Sequence, residues 1–95
     1  MYYIMKPLIR ISHRKNKKYD VYYNGRWIPF GQIGYEHYKT SDLIPKELHI
    51  YPEHFDIERR NRYRTRTRGN RDGNGNLTYN NKNSANYWAY HLLWN

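Results

Sequence analysis

Cysteine is absent from the 95 residues. That excludes a disulfide scaffold and any zinc site built on thiolates. No apolar run approaches the ~18 residues of a membrane span. Met1 to Arg14 has no continuous apolar region followed by a cleavage site, so it does not read as a secretory signal. Aliphatic residues are few: six Leu, eight Ile and one Val, with two Phe, make 17 of 95. That is under the ~20% at which a highly charged chain is expected to lack a packed core. Acids are scarce too, with eight Asp and Glu against 17 Lys and Arg and a net charge of +9. Such a balance either serves solubility alone or marks a chain that meets a polyanion or an anionic surface.

Aromatic residues make up part of the deficit. Twelve Tyr and three Trp accompany the two Phe, and each buries a large area with few rotatable bonds. The expected core is therefore aromatic and partly wet, because each buried tyrosine hydroxyl needs a partner. The length predicts one domain, residues 1–95. A small domain short of aliphatics often completes its core by oligomerising, so a homodimer is expected, with exchanged elements as one form of it.

The fold class read from the pattern is α+β: a small antiparallel β-meander over residues 2–31, a basic helix over 52–65 and a short C-terminal helix over 84–94. Tyr2 to His13 reads as a first strand, at an edge or broken at Pro7. Arg14 to Lys18 is a charged turn, Tyr19 to Tyr23 a second strand, and Asn24-Gly25 a two-residue type I′ turn. Arg26-Trp27-Ile28 pairs back and stops at Pro29. Residues 30–34 form a loop punctuated by two glycines, and Ser41 to Leu48 holds a short helical turn with Pro45 near its start. Asn70 to Asn83, rich in Asn and Gly, is a loop or the turn of a small hairpin. Ser84 then suits the N-cap of the last helix, whose docking face is expected at Tyr87, Tyr90 (or His91) and Trp94.

The densest signal is residues 54–68, with six arginines and two acids, a net +4. As a helix it places Asp56–Arg60 and Glu58–Arg62 in the favourable acid-first i,i+4 order, puts arginines toward the C-terminal end and meets a stop at Gly69. As a strand, Tyr63, Thr65 and Thr67 would alternate with arginines. Two acids cannot pair six arginines. The remainder must find solvent, the rest of the chain, another chain or an anion. Arginine forks match phosphate, so the candidate nucleic-acid contacts are Arg59, Arg62, Arg64, Arg66 and Arg68. Arg59, Arg64, Arg66 and Arg68 stand out if Glu58 ties down Arg62. Arg14, Lys15, Lys17 and Lys18 form a second candidate cluster at the first hairpin tip, where an exposed charged turn is an equally good account. No zinc-finger spacing, RNP pattern or helix-turn-helix is evident, so backbone contact with DNA or RNA at low sequence specificity is the expected mode.

Metal and catalysis are poorly supported. His37, His49, His54 and His91 show no i,i+4 pairing with one another. Asp56 and Glu58 sit beside arginines that would keep them ionised, and no carboxylate cluster for Mg²⁺ is evident. No cofactor, metal site, membrane association or enzymatic role is expected.

One constellation resembles a known family. Phe30-Gly31, Tyr35-x-x-Tyr38-Lys39, then Tyr51-x-x-His54-x-Asp56-x-x-Arg59-Arg60-x-x-Tyr63-Arg64-x-Arg66, then Ser84 and a terminal Leu93-Trp94 are similar to short basic proteins of large nucleocytoplasmic DNA viruses (marseillevirus, phycodnavirus and mimivirus relatives). The resemblance spans about residues 19–95. It implies a small α+β domain, dimerisation and a place in the virion, or in host cytoplasm or nucleus during infection. It brings no catalytic residues. His54, Asp56, Arg60, Tyr63, Trp88 and Trp94 are then expected to serve the fold or a dimer. The functional expectations are a virion protein packaging or condensing the genome, a minor capsid or cement protein touching other virion proteins, or an early host-directed regulator.

Overall fold

The computed structural model describes residues 6–95. A three-stranded antiparallel meander is followed by two helices: β1 (Leu8–Ile11), β2 (Lys17–Tyr23), β3 (Arg26–Gln32), α1 (Ile57–Arg68) and α2 (Ala85–Leu92). The strands lie in chain order, with Ile9 opposite Val21 and Val21 opposite Ile28. The expected part of the first strand before residue 6 lies outside the described residues. Asn24 and Gly25 turn the β2–β3 hairpin with φ of 53° and 80°, the pair of positive angles that selects Asn-Gly.

Pro29 does not end β3. It pairs with Asp20, and the strand runs on to Gln32. In the three-stranded sheet β3 is an edge, so it uses only alternate N–H groups for its one neighbour and tolerates proline. Period-two alternation puts Ile9, Tyr19, Val21, Ile28 and Phe30 on the inner face, where all are buried. Ile44, Trp88, Ala89, Leu92 and Leu93 close over them. The Tyr19 hydroxyl donates to the Leu48 carbonyl at 2.7 Å, and Tyr51 meets the Tyr19 ring edge-on at 5.4 Å. The core thus pairs a tyrosine with a fully satisfied hydroxyl.

The helical turn expected before the arginine stretch is a 3₁₀ turn at Lys46–Leu48, preceded by Pro45. Helix α1 begins five residues later than expected and ends three later. Residues 52–56 are taken up by bonds to 37–40: His54 N–H donates to His37 O, Phe55 N–H to Tyr38 O, and the Glu53 carboxylate accepts from Thr40 N–H at 2.6 Å. Phe55 stands at φ 54°, a left-handed position that no helix continues through. At the other end Thr67 is buried, which carries the helix through to Gly69.

Asp72 Oδ1 accepts from Asn74 and Asn76 N–H, and Arg71 bridges to Leu77, so the Asn/Gly-rich segment is a small closed turn. Ser84 Oγ accepts from Asn86 N–H and starts α2. The docking face overlaps the expected one, since Tyr90 is buried and Tyr87 and Trp94 pack against the core, but its centre lies elsewhere. Trp88, Ala89 and Leu92 enter the core with Leu93, while Tyr87 lies beside Trp88 and His91 at the half-buried rim. Trp94 falls beyond the helix end, where it packs against the core and also stacks on Tyr63 of α1.

Candidate anion-binding cleft

Helix α1 is a polar helix on almost every side, with the sequence IERRNRYRTRTR. Such a helix cannot hold itself by burying an apolar face. Its start is fixed by Asp56, whose carboxylate accepts from Glu58 N–H at 3.0 Å and Arg59 N–H at 3.2 Å. Those bonds, that from Arg59 first, hold the Asp56 carboxyl below its ordinary pKa. His54 Nδ1 accepts from Asp56 N–H at 2.8 Å and so orients the cap. His54 Nε2 is buried without a hydrogen-bond partner, and burial, followed by the Arg59 charge, lowers the pKa of the ring. The expected Asp56–Arg60 and Glu58–Arg62 ion pairs are not among the salt bridges of the described residues. Asp56 is spent on the backbone.

The body of α1 is held at two points. The Tyr63 ring stacks on Trp94, 4.1 Å between centroids and 11° from parallel. The Arg64 guanidinium lies 4.1 Å over the Tyr90 ring and donates to the Trp94 carbonyl at 3.1 Å. Arg64, expected to face a polyanion, is thereby a tether to the C-terminus. Arg60 sits 5.5 Å over Tyr38 and also donates to Asn61. Arg68 donates back to the Arg64 carbonyl.

The remaining arginines share one face. Arg59, Arg62 and Arg66 follow an i, i+3, i+7 spacing and line a cleft of about 480 Å³ between α1, α2 and the end of the hairpin. Lys17 lines the opposite wall, its Nζ donating to Gln32 Oε1 at 3.3 Å. Glu36 is the one acid in the lining, 3.6 Å from Arg59, with both side chains nearly half exposed. The Arg62 and Arg66 side chains make no hydrogen bond or ion pair among the described residues; Arg66 leans on Tyr63 at 5.8 Å. With five cations against one carboxylate, the lining favours an anion.

Lys18 departs furthest from its expected place. It lies 2% exposed under the cleft rather than at an open turn. Its Nζ donates to the Tyr35 carbonyl at 2.6 Å and to His37 Nδ1 at 2.9 Å, and His37 Nε2–H in turn donates to Thr40 Oγ1 at 2.7 Å. Burial pushes the Lys18 amine down to about 8, against a smaller upward pull from Glu36. Burial and then the Lys18 charge push His37 down to about 4, so the ring is neutral near pH 7. Arg14 and Lys15 stay exposed in the β1–β2 turn. Trp88 is a core residue whose Nε1–H donates to the Lys82 carbonyl at 2.8 Å.

Sequence reasoning did not single out Gly31, Tyr35 or Glu36 as cleft residues. Gly31 has φ 79°, and a Cβ there would meet Leu93 Cδ1 at 3.0 Å and Lys18 Cβ at 3.1 Å. The Gly31-x-x-Gly34 punctuation was the available signal, since glycine marks close backbone approach. Among the described residues, no helix is long and apolar enough to cross a membrane, and no group of three or more His, Asp or Glu could hold a metal ion.

Residues 8–41, about a third of the chain, are similar to a family of unknown function (DUF5754). The match spans the meander and the wall that carries Lys17, Tyr35 and His37, and it ends before α1. Its description names no activity, ligand or source. No curated protein and no solved structure matches the chain.

Proposed function

We propose that the chain is a non-catalytic nucleic-acid-binding protein that grips backbone phosphates along the Arg59–Arg62–Arg66 face of α1. One observation carries this reading: three arginines on a single helix face meet Lys17 across a cleft whose lining holds one acid. Arginine and lysine crowded on one side repel one another, and a phosphate chain relieves that repulsion while accepting forked hydrogen bonds. Contacts of this kind position a nucleic acid without reading its bases. The virus resemblance of the central motif supports a setting in the virion, with genome packaging or condensation as the role.

The test is a salt-titrated gel shift of the purified protein on DNA and RNA. Four to six phosphate contacts predict a log–log salt slope between about −3 and −5. An Arg62→Gln, Arg66→Gln variant loses affinity evenly across sequences and flattens that slope by about two. Affinity indifferent to salt, or unchanged in the double variant, rejects the reading.

A second reading has its own observation. Leu8, Tyr22 and Trp27 stand in register across all three strands on the outer sheet face, with Leu8 61% and Tyr22 46% exposed among the described residues. Such a row suits a protein contact, either a homodimer or a capsid-cement role against other virion proteins. A Tyr22→Glu variant whose mass in solution and particle incorporation match those of the parent rejects it.

A further inference from the structure

We infer that the cleft is built for an unpaired nucleotide of single-stranded nucleic acid, its phosphate held by Arg59, Arg62 and Arg66 and its base stacked on Tyr35. The inference rests on the phosphate-binding reading and names the class of ligand for the same cleft.

Tyr35 is 71% exposed, the most exposed large hydrophobic side chain of the described residues. It lines the cleft and enters no aromatic pair among them, in a chain whose other tyrosines mostly pack against rings or donate into the fold. An open tyrosine would ordinarily sit on a loose loop. Here the backbone beneath it is pinned, because its carbonyl accepts from the buried Lys18 ammonium at 2.6 Å. Lys18 is itself held by His37, and His37 by Thr40. A chain of three buried polar side chains thus fixes the base of a solvent-facing ring. That is the construction of a stacking platform, in which an aromatic ring is presented to a ligand beside a cationic groove.

The opposite wall supplies the groove. The i, i+3, i+7 arginines spread over roughly 10 Å of helix at 1.5 Å rise per residue. A cleft of about 480 Å³ falls within the range that holds a small organic molecule. A duplex keeps its bases stacked inside and presents only phosphates to such a cleft. Only an unpaired base can reach Tyr35 while its phosphate meets α1.

The experiment measures fluorescence anisotropy with four probes of equal length at one salt concentration: oligothymidylate, oligouridylate, a DNA duplex and an abasic DNA strand that keeps every phosphate. The expected result is binding of the base-bearing single strands about tenfold tighter than the abasic strand. Tyr35→Ala brings them down to the abasic level and leaves the abasic strand unchanged. Tyr35→Phe, which keeps the ring, retains full affinity. The thymidylate and uridylate arms separate DNA from RNA as the source of the strand. If abasic and base-bearing strands bind alike, or Tyr35→Ala is silent while salt-dependent binding persists, the stacking inference is overturned and the phosphate reading stands. If no probe binds, the phosphate reading fails and takes the inference with it.

Discussion

Lys18 Nζ lies 2.9 Å from Nδ1 of His37, with both side chains almost fully buried and one ring–ammonium hydrogen bond between them. Lysine must donate, so the ring must present a bare Nδ1 and keep its proton on Nε2, where Thr40 Oγ1 accepts it. The neutral histidine is therefore a structural requirement of the lysine.

This pair sets two limbs of the stability profile. The His37 pKa falls from 6.5 unfolded to about 4 folded. Between those values the unfolded state takes up a proton that the native state refuses, so the His37 contribution is full above pH 6.5 and declines as pH falls toward 4. Lys18 falls from 10.5 to about 8. Across that window the native state sheds its proton first, so stability rises with pH from 8 to 10.5. Denaturant melts against pH should show both limbs. His37→Gln should flatten the acid limb and Lys18→Met the alkaline one.

Asp20 anchors the outer side of the sheet. Burial alone would raise its pKa, but hydrogen bonds from Ser12 Oγ, His13 N–H and Arg10 hold it below the ordinary carboxylate value. Its contribution is present above the unfolded carboxylate pKa and is lost as pH falls through the folded one. Asp20→Ala should lower the unfolding free energy by about 2–3 kcal/mol, since it strands charge-assisted donors. Chemical denaturation at neutral pH measures this.

The Tyr63–Trp94 stack is the main apolar hold on α1. Trp94→Ala should cost about 2–3 kcal/mol, less than a fully buried tryptophan because Trp94 is half-buried. The loss should be local. Amide exchange in α1 should accelerate while β2 and β3 keep their protection.

Gly31 occupies a left-handed position with Leu93 and the Lys18 stem against it. Gly31→Ala adds backbone strain and a methyl that Leu93 and the Lys18 stem must shift to admit, and should destabilise by about 1–3 kcal/mol. Gly25, at φ 80° but with open space around it, bears the strain without the overlap, so Gly25→Ala should be the milder change in thermal melts.

In the proposed phosphate-binding role, Glu36 opposes the ligand. It neutralises Arg59 across 3.6 Å with both groups nearly half exposed, a pair that contributes little to folding. Glu36→Gln should leave the melting temperature in place and tighten nucleic-acid binding roughly two- to five-fold at low salt. Competition gel shifts against the parent protein test this directly.

The meander and the existence of both helices were legible because their signals are local. Asn24-Gly25 selects a turn through its own backbone angles, alternation in β2 selects a face, and Ser84 and Gly69 bound their helices by capping chemistry. The start of α1 was misplaced because residues 52–56 bond to residues 37–40, far away in sequence. The docking face of α2 was legible in part: Tyr90 is buried as expected, but Trp88, Ala89 and Leu92 carry the core contact and Trp94 lies past the helix end, against Tyr63. Within the cleft, Arg59 and Arg66 stood out in the sequence, while Arg62 was expected to be tied down by Glu58. Arg64 looked equivalent in sequence and differs only because Tyr90 and the Trp94 carbonyl lie beneath it.

Sequence alone determined the fold class and the surplus of arginine. Local backbone preference, side-chain alternation and net charge are properties of neighbouring residues, and they need no long-range contact to act. Tertiary structure alone decided which cations remain open to a ligand. It buried Lys18 beneath Tyr35, spent Arg64 on the C-terminus and left Arg62 and Arg66 facing a cleft. Whether a charge is free depends on what the fold places within a few ångströms of it, and contacts such as Arg64 to Trp94 join residues 30 apart in the chain.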